Sequence, residues 1–354
     1  MVSDRLIAIV QCPDCGGTLV RAADGLRCAG CGREWPPSSA YLDLRPSAMF
    51  TEQTKYLDEA LHADARHAHV SPPLLGAGVR HRMLQRFLRL SPDDLVVDLG
   101  CGSGQSLVWN AGSGATLVGV DVSPYFAAEA IDDGLLVLGD LRRLPFADGV
   151  FAKGYALDVF EHLSREGLET VLAEIARVVR PGGHVFVYSH VRKNAPIALG
   201  IRAINGCSHA LARLGLIDLA QEHLRKSDHL NPLADVPDLE RTVAAAGFRI
   251  ARIRYYTPFV GAFVQNILMR MGERALGRWA GRGRTTALDP SAQRNEEARL
   301  ARAAAKSRLQ QRGPLYLGVR ALTALMMLDV YAFGRVQSGP FFAILEREPG
   351  SARP

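Results

Sequence analysis

The chain has no long apolar run near its start. Residues 1–20 carry Asp4, Arg5 and a cysteine pair where a secretory leader would be continuously apolar, so a cytoplasmic protein is expected. Lysine is nearly absent, occurring only at Lys55, Lys153, Lys193, Lys226 and Lys306, and arginine carries the positive charge. A formal charge of +6 over 354 residues is modest, and an arginine bias can come from base composition alone, so the basicity is weak evidence for nucleic acid. Arginine nonetheless favours phosphates and anionic lipid headgroups as neighbours. Cysteine is sparse too, with six in the chain, and in the absence of a leader they point to metal binding instead of disulfides. The length exceeds one average domain, so about two are expected.

A further absence lies in the most informative stretch, VVDLGCGSG at Val96–Gly104. The β-branched run Leu95–Val97 reads as a buried parallel strand that ends on Asp98 and opens into a loop with glycines at 100, 102 and 104. A second strand, Thr116–Val120, ends on another acid, Asp121. Strand, glycine loop, helix, strand and acid open a doubly wound α/β sheet, with a nucleoside-containing ligand at the carboxyl ends of its strands. Asp121 is placed to accept hydrogen bonds from the ribose hydroxyls. The dinucleotide signature G-x-G-x-x-G is missing, because its last position falls on Gln105 or Leu107. The G-x-G-x-G spacing suits a ligand without a pyrophosphate. A tight turn in any α/β protein is the bland alternative.

A third strand, Leu135–Leu138, leads into Gly139-Asp140-Leu141; then come LPFADGVFAKGYALDVFEHL and, after a helix, LAEIARVVRPGGHVFV. In order and spacing the stretch from roughly Arg80 to Tyr256 resembles the class I S-adenosylmethionine-dependent methyltransferases of the type 11 group. The resemblance implies a Rossmann-like seven-stranded sheet with S-adenosyl-L-methionine as cofactor. It further implies that Gly100, Gly102 and Gly104 wrap the methionine end while Asp98 helps hold its amino group. Asp121 would take the ribose, Asp140 with Leu141 the adenine, and Asp158 would complete the cofactor-binding set. One departure is Phe151-Ala152, where the family usually has Phe-Asp. The N-P-P-Y-type tetrapeptide of many amine-methylating enzymes is also absent, with Leu157-Asp158-Val159-Phe160 in its place. Methylation of an oxygen requires a general base at the end of the fourth or fifth strand, and His162 and His190 are the candidates. Glu161-His162 has an architectural alternative, closing over the cofactor or capping the next helix.

Cys12, Cys15, Cys28 and Cys31 form two C-x-x-C pairs, each followed by glycine. Two such knuckles around a hairpin at Ala23-Asp24-Gly25 complete a closed four-thiolate zinc site, structural in type. A redox pair or an iron–sulfur site are the alternatives. The module resembles the zinc ribbons found alone as methyltransferase activators or fused ahead of methyltransferase domains, one fused group being guanine-N1 methyltransferases of ribosomal RNA. Its Arg21, Arg27 and Arg33 could face RNA phosphates, or the ribbon could be a scaffold for the catalytic sheet.

Between ribbon and sheet, Thr51–Leu61 and Gly78–Leu90 read as helices, and the resemblance implies that this region lids the cofactor with Tyr56 as a wall; the spacing of His62, His67, His69 and His81 fits no common metal pattern. Beyond the sixth strand (Arg249–Tyr255), the seventh is expected only at Phe341–Glu346, leaving a large insertion. It comprises an amphipathic helix Phe259–Arg270, a charged segment Glu296–Gln311, and the nearly unbroken apolar run Leu315–Phe333. That run is read either as a helix buried against Phe259–Arg270 or as an apolar interfacial lid, with Arg270, Arg278, Arg282 and Arg284 near a lipid surface; its internal charges Arg320 and Asp329 argue against a simple span. Ala195–Leu230, carrying His209, His223 and His229, would line the same mouth. The expected organisation is a zinc ribbon at 1–48, a helical linker and cofactor lid at 49–90, a methyltransferase core at 91–256, a helical insertion (substrate lid) at 257–338 and the last strand and tail at 339–354.

The function expected is methylation, on oxygen or carbon, of a small hydrophobic or lipid-linked acceptor, by an enzyme that is cytoplasmic or peripheral at a membrane. The alternatives are an rRNA or tRNA base methyltransferase whose ribbon docks RNA, and a cofactor-binding protein without chemistry.

Overall fold

The computed structural model describes residues 3–23, 25–36, 40–48, 69–133, 135–192, 199–217, 229–256, 259–272, 309 and 311–350. After a short helix α1 (Asp4–Ile7), strands β1 (Leu19–Ala22), β2 (Gly25–Cys28) and β3 (Glu34–Trp35) form a small antiparallel sheet. The main sheet contains β4 (Leu42–Asp43), β5 (Leu95–Leu99), β6 (Thr116–Asp121), β7 (Leu135–Leu138), β8 (Phe151–Leu157), β9 (Val179–His190), β10 (Phe248–Tyr255) and β11 (Pro340–Arg347). Their order is β10-β11-β9-β8-β5-β6-β7-β4. The late strand β11 is antiparallel to both its neighbours, and the other pairings are parallel. This is the Rossmann-like arrangement expected. The strand order reverses at β5, which pairs with β6 on one side and β8 on the other, and this opens a crevice beyond its carboxyl end.

The strands are apolar on both sides because both faces are covered. Val97 and Leu99 of β5 and Val185 and Val187 of β9 join one core with α5 (Arg165–Val178) and α7 (Val236–Ala245). Val96 and Phe186, on the opposite pleat, join a second core with α2 (Leu75–Leu88) and α9 (Pro314–Phe333). Helices α3 (Gln105–Asn110) and α4 (Ala128–Asp133) follow β5 and β6; α6 (Leu199–Arg213) precedes α7, and α8 (Phe259–Phe263) precedes α9. Local capping sets two of these starts. Ser164 accepts from the Gly167 N–H at 3.0 Å and Asp235 from the Asp238 N–H at 3.0 Å.

To the seven expected strands the structure adds an eighth, and it comes from the amino-terminal segment. Leu42 and Asp43 pair with Val137 and Leu138 at the sheet edge, and the Leu44 N–H donates to Leu138 at 2.8 Å. Val10 bridges Phe146, and Val10, Leu26, Trp35 and Leu44 share one buried core with Val137, Leu144 and Phe146. The small sheet is thus built into the catalytic body.

The insertion departs from expectation in two ways. Phe259–Arg270 is not one regular helix: α8 gives way to a π-helical turn at Val264–Leu268. Besides the expected packing against this segment, where Phe259 meets Phe333 and Val264 shares its core, α9 packs on α2. Val319, Thr323, Met326, Met327 and Val330 form its buried face, and Gly78 of α2 lies so close that a Cβ there would sit 2.6 Å from Thr323 Cγ2. An apolar run has no marker for which neighbour it will choose. Gly78–Leu90 was expected as a helix and α2 begins three residues earlier, at Leu75. Thr51–Leu61 with Tyr56, His62 and His67, most of Glu296–Gln311, His223, and Arg278, Arg282 and Arg284 lie outside the described residues.

Asp329, buried at 1% exposure, accepts from the backbone N–H groups of Val260 and Gly261 at 3.0 and 2.8 Å and so caps α8 from another helix. Burial pushes its carboxyl above the usual range while those N–H groups pull the other way. Arg320, on the opposite side of α9, is exposed. Asp329→Ala is expected to cost about 1–3 kcal/mol by leaving these buried donors unmet, with Asp329→Asn milder. Urea unfolding midpoints measure this, and an unchanged midpoint would remove the cap from the account.

Candidate functional site

The glycine loop leaves β5 with left-handed backbone at Gly100, Gly102 and Gly104 (φ 74°, 55° and 80°), a region open to glycine without strain. Two of the three are also packed. A Cβ on Gly100 would lie 2.8 Å from Val159 Cγ2, and one on Gly104 would lie 2.5 Å from Ala130 Cβ. Gly102 differs: nothing lies within 4 Å of its absent Cβ, and it is exposed. Its backbone therefore presents an open face at the carboxyl end of β5, where the strand order reverses.

Asp121, at the end of β6, holds this loop. One carboxylate oxygen accepts from the Gly102 N–H at 2.7 Å and the other from the Ser123 N–H at 2.8 Å. Both oxygens are thus tied to the loop backbone, and a carboxylate, with about four lone-pair sites, can accept from a ligand hydroxyl as well. Asp98, buried at 2% exposure, leaves its Oδ2 without a hydrogen-bond partner. Burial pushes its carboxyl well above the usual range, Tyr155 partly offsets this, and the Asp121 charge adds to it. A buried carboxyl oxygen without a partner, at the carboxyl end of β5, has the chemistry to accept from an ammonium group such as that of S-adenosylmethionine.

Asp140 has a partner of its own. Its buried carboxylate is clasped by Arg142, Nε to Oδ1 and Nη2 to Oδ2 each at 2.9 Å, with the Arg142 N–H also donating at 2.9 Å. The acid thus shapes the turn after β7, and Leu141 is the neighbour that reaches Gly100, at 3.8 Å from its would-be Cβ. Asp158 ends β8 in the left-handed region (φ 56°), which is strained for a non-glycine residue. Arg80 of α2 meets it at 3.2 Å and lies over the Tyr188 ring at 5.3 Å. Sequence reasoning missed Arg80, since nothing local to it marks a partner on β8.

Past Asp158, the turn Phe160–His162 brings the two candidate bases together with residues from two other segments. The His162 and His229 rings lie 4.7 Å apart and those of His190 and His229 5.5 Å apart. Glu161, buried at 2%, accepts from the Ser189 hydroxyl at 2.8 Å and lies 3.9 Å from His190 Nδ1. Burial, reinforced by the Asp158 charge, pushes Glu161 up to about 8. The Glu161 carbonyl accepts from Leu230 and Asn231, which holds His229 in place. Glu161, His162 and His229 bring ligand atoms within 4.8 Å of one another, so the cluster can handle a proton or take a cation. Of the other histidines, His69 meets Glu129 at 3.3 Å, His81 packs edge-on against Trp109, and His209 is exposed on α6.

In the ribbon the four thiols converge, with all four sulfurs within 4.8 Å of one another. Cys12 and Cys31 are 3.7 Å apart and Cys15 and Cys28 3.4 Å. A tetrahedral zinc with Zn–S bonds of about 2.3 Å separates its sulfurs by about 3.8 Å, so the cage is of zinc size. The Gly30 and Cys31 N–H groups point at Cys28 Sγ, and a Cβ on Gly17 would lie 2.9 Å from it. Arg21 pairs with Asp4, while Arg33 pairs with Asp14 and lies over Trp35 at 4.8 Å. Of the arginines considered for RNA, these two are engaged within the ribbon, and Arg27 is exposed.

Comparison with known proteins agrees with this geometry. Residues 97–187 match the family model described as a methyltransferase domain, and this stretch of the chain is a methyltransferase domain. A demethylmenaquinone methyltransferase of Mycolicibacterium vanbaalenii is 44% identical over 111 residues, 30% of this chain and 46% of that protein. A sterol 4-C-methyltransferase of Caenorhabditis elegans is 32% identical over 123 residues, 32% of this chain and 36% of that protein. The chain thus spans less than half the length of these curated relatives. A solved structure of Haemonchus contortus phosphoethanolamine N-methyltransferase 2 with S-adenosyl-L-methionine superposes with a TM-score of 0.51 at 16% identity, covering 86% of this chain and 61% of that one. That likeness establishes the fold.

Proposed function

We propose that the protein is an S-adenosylmethionine-dependent methyltransferase acting on a small, hydrophobic acceptor, on oxygen or carbon, and that its amino-terminal ribbon carries a structural zinc. The observation that carries the reading is the unmet, buried Asp98 oxygen beside the open face of Gly102, at the point where the strand order reverses. The bound cofactor supplies a methyl group on a sulfonium, which is its own leaving group. The chain supplies placement. Asp98 meets the cationic methionine end, Asp121 the ribose, and the Gly100–Gly104 backbone allows close approach; Leu141 and Asp158 line the same crevice.

His162 and His190, with His229 beside both, are the groups assigned to the acceptor's proton, an imidazole nitrogen of one taking it as the methyl bond forms. The hydrophobic acceptor is supported by what the relatives are named for, a quinone precursor and a sterol. The zinc is supported by the closed four-thiolate cage, which leaves no position for substrate. The ribbon resembles an activator module in sequence, and its shared core with β7 favours a scaffold over an RNA dock.

Transfer of a labelled methyl group tests this. Label is expected in the organic phase when demethylated hydroquinones, sterols or a lipid extract are offered, and RNA is expected to stay unlabelled. His162→Gln or His190→Gln is expected to lower kcat by about 10²–10⁴ while affinity for S-adenosylhomocysteine stays the same. Label confined to RNA would overturn the acceptor class, and the absence of transfer to any acceptor would overturn the enzymatic reading.

A further inference from the structure

On the side of the sheet covered by α2 and α9, away from the histidine cluster, four arginines surround a cavity of about 330 Å³. Arg86 comes from α2, Arg252 and Arg254 from alternate positions of β10, and Arg335 from just beyond α9; Phe87 and Tyr331 complete the lining. Among the described residues no carboxylate pairs with any of the four. Aromatic rings orient two of them. Arg252 lies 4.1 Å over Phe87, and Arg86 lies 5.6 Å over Tyr331 and donates to its hydroxyl at 3.3 Å. Arg252 also feels Arg254, Arg86 and Arg89 as like charges, which with burial lowers its pKa. Like charges gathered without acids are stabilised by a bound anion, and guanidinium forks match phosphate oxygens in particular.

The cavity opens at the end of an apolar stripe. With one face of α9 buried on α2, Leu317, Leu325, Leu328 and Tyr331 project outward at 60, 45, 52 and 60% exposure, with exposed Ala321 and Ala324 between them. Phe263, Leu268 and Met271, in and just after α8, are exposed as well. Pro314–Phe333 is, among the described residues, the one helix long and apolar enough to cross a membrane. Its inner face is already occupied by α2, so it cannot also be surrounded by lipid. Only its outer face, with arginines at the margin, is left to meet lipid. Arg320 flanks the stripe and Arg335 ends it, so apolar and cationic groups lie side by side as acyl chains and headgroups do.

We infer that the outer face of α9 and the cavity formed by Arg86, Arg252, Arg254 and Arg335 form a docking surface for an anionic phospholipid membrane, the cavity taking a headgroup phosphate. The surface lies outside the methyl-transfer site, and the inference stands or falls independently of that reaction.

Flotation of the full chain with extruded vesicles tests it, using phosphatidylcholine alone and with about 30% phosphatidylglycerol. Binding is expected only to the anionic vesicles, and to weaken as salt rises from about 0.1 to 0.5 M. Arg252→Gln with Arg254→Gln should weaken partitioning about 25-fold, at about fivefold per arginine. Leu325→Ser with Leu328→Ser should weaken it while leaving the salt dependence in place. Affinity for S-adenosylhomocysteine and the circular dichroism spectrum should be unchanged in both variants, which separates lost docking from lost folding. Three results would each overturn the inference. They are equal binding to both vesicle types, wild-type partitioning by the arginine variants, and capture of inorganic phosphate or an RNA oligonucleotide by these arginines without any vesicle binding.

Discussion

Asp121→Ala is expected to lower affinity for S-adenosylhomocysteine by about 30- to 1000-fold, or roughly 2–4 kcal/mol. Two losses combine in that figure. The carboxylate no longer accepts from the ribose hydroxyls, and the Gly102 and Ser123 N–H groups lose the acceptor that holds the loop closed. Asp121→Asn keeps one carbonyl oxygen for one of those N–H groups and should fall between wild type and Ala. The thermal midpoint should move little, because Asp121 is only partly buried and the loop glycines keep their packing against Val159 and Ala130. Isothermal calorimetry measures the affinity directly. Wild-type affinity in the Ala variant would refute the assignment of the crevice.

Removing the metal should affect the whole molecule and not the ribbon alone. Cys28→Ser is expected to abolish binding of one zinc per chain, measured by elemental analysis, while Cys101→Ser and Cys207→Ser keep it. Cys101 lies in the glycine loop beside Gly119, far in sequence from the knuckles, and Cys207 is exposed on α6. Structural zinc contributes folding free energy outright. Because Leu26, Trp35 and Leu44 share a core with Val137 and Phe146, each kcal/mol lost should lower the main transition by about 2–4 °C. A ribbon melting separately, with the main transition unmoved, would show that the two cores are energetically independent. Below the transition, cofactor binding should largely survive, since β4 meets the sheet at its edge, beyond β6 and β7 from the glycine loop. Full zinc occupancy in Cys28→Ser would rule out the four-thiolate site.

The parts of this protein legible in its sequence are those set by short-range chemistry. Left-handed backbone at Gly100, Gly102 and Gly104 follows from what glycine permits, and the knuckles follow from the C-x-x-C spacing. Buried strands such as β5, β6 and β11 show as β-branched or apolar runs, so even the delayed last strand could be found at Phe341–Glu346. The acids ending β5 and β6 could be named for the same reason.

Contacts between distant segments were decided only by the tertiary structure. Leu42–Asp43 is too short to show a period, and it becomes a strand because β7 offers a free edge. The apolar run of α9 signals burial without naming a partner, and its packing on α2 depends on the close approach that Gly78 allows. Asp140 has a local partner in Arg142, but the turn that aims the guanidinium back at it is set by packing, which the sequence does not show. Arg80 meeting Asp158, His229 joining His162 and His190, and the arginines of α2 and β10 meeting at Tyr331 all bring together groups far apart along the chain. Local pattern selects the elements through backbone freedom and side-chain period. Which elements touch is chosen by the burial of whole faces, a free energy that belongs to pairs of surfaces and is not encoded in any one stretch of sequence.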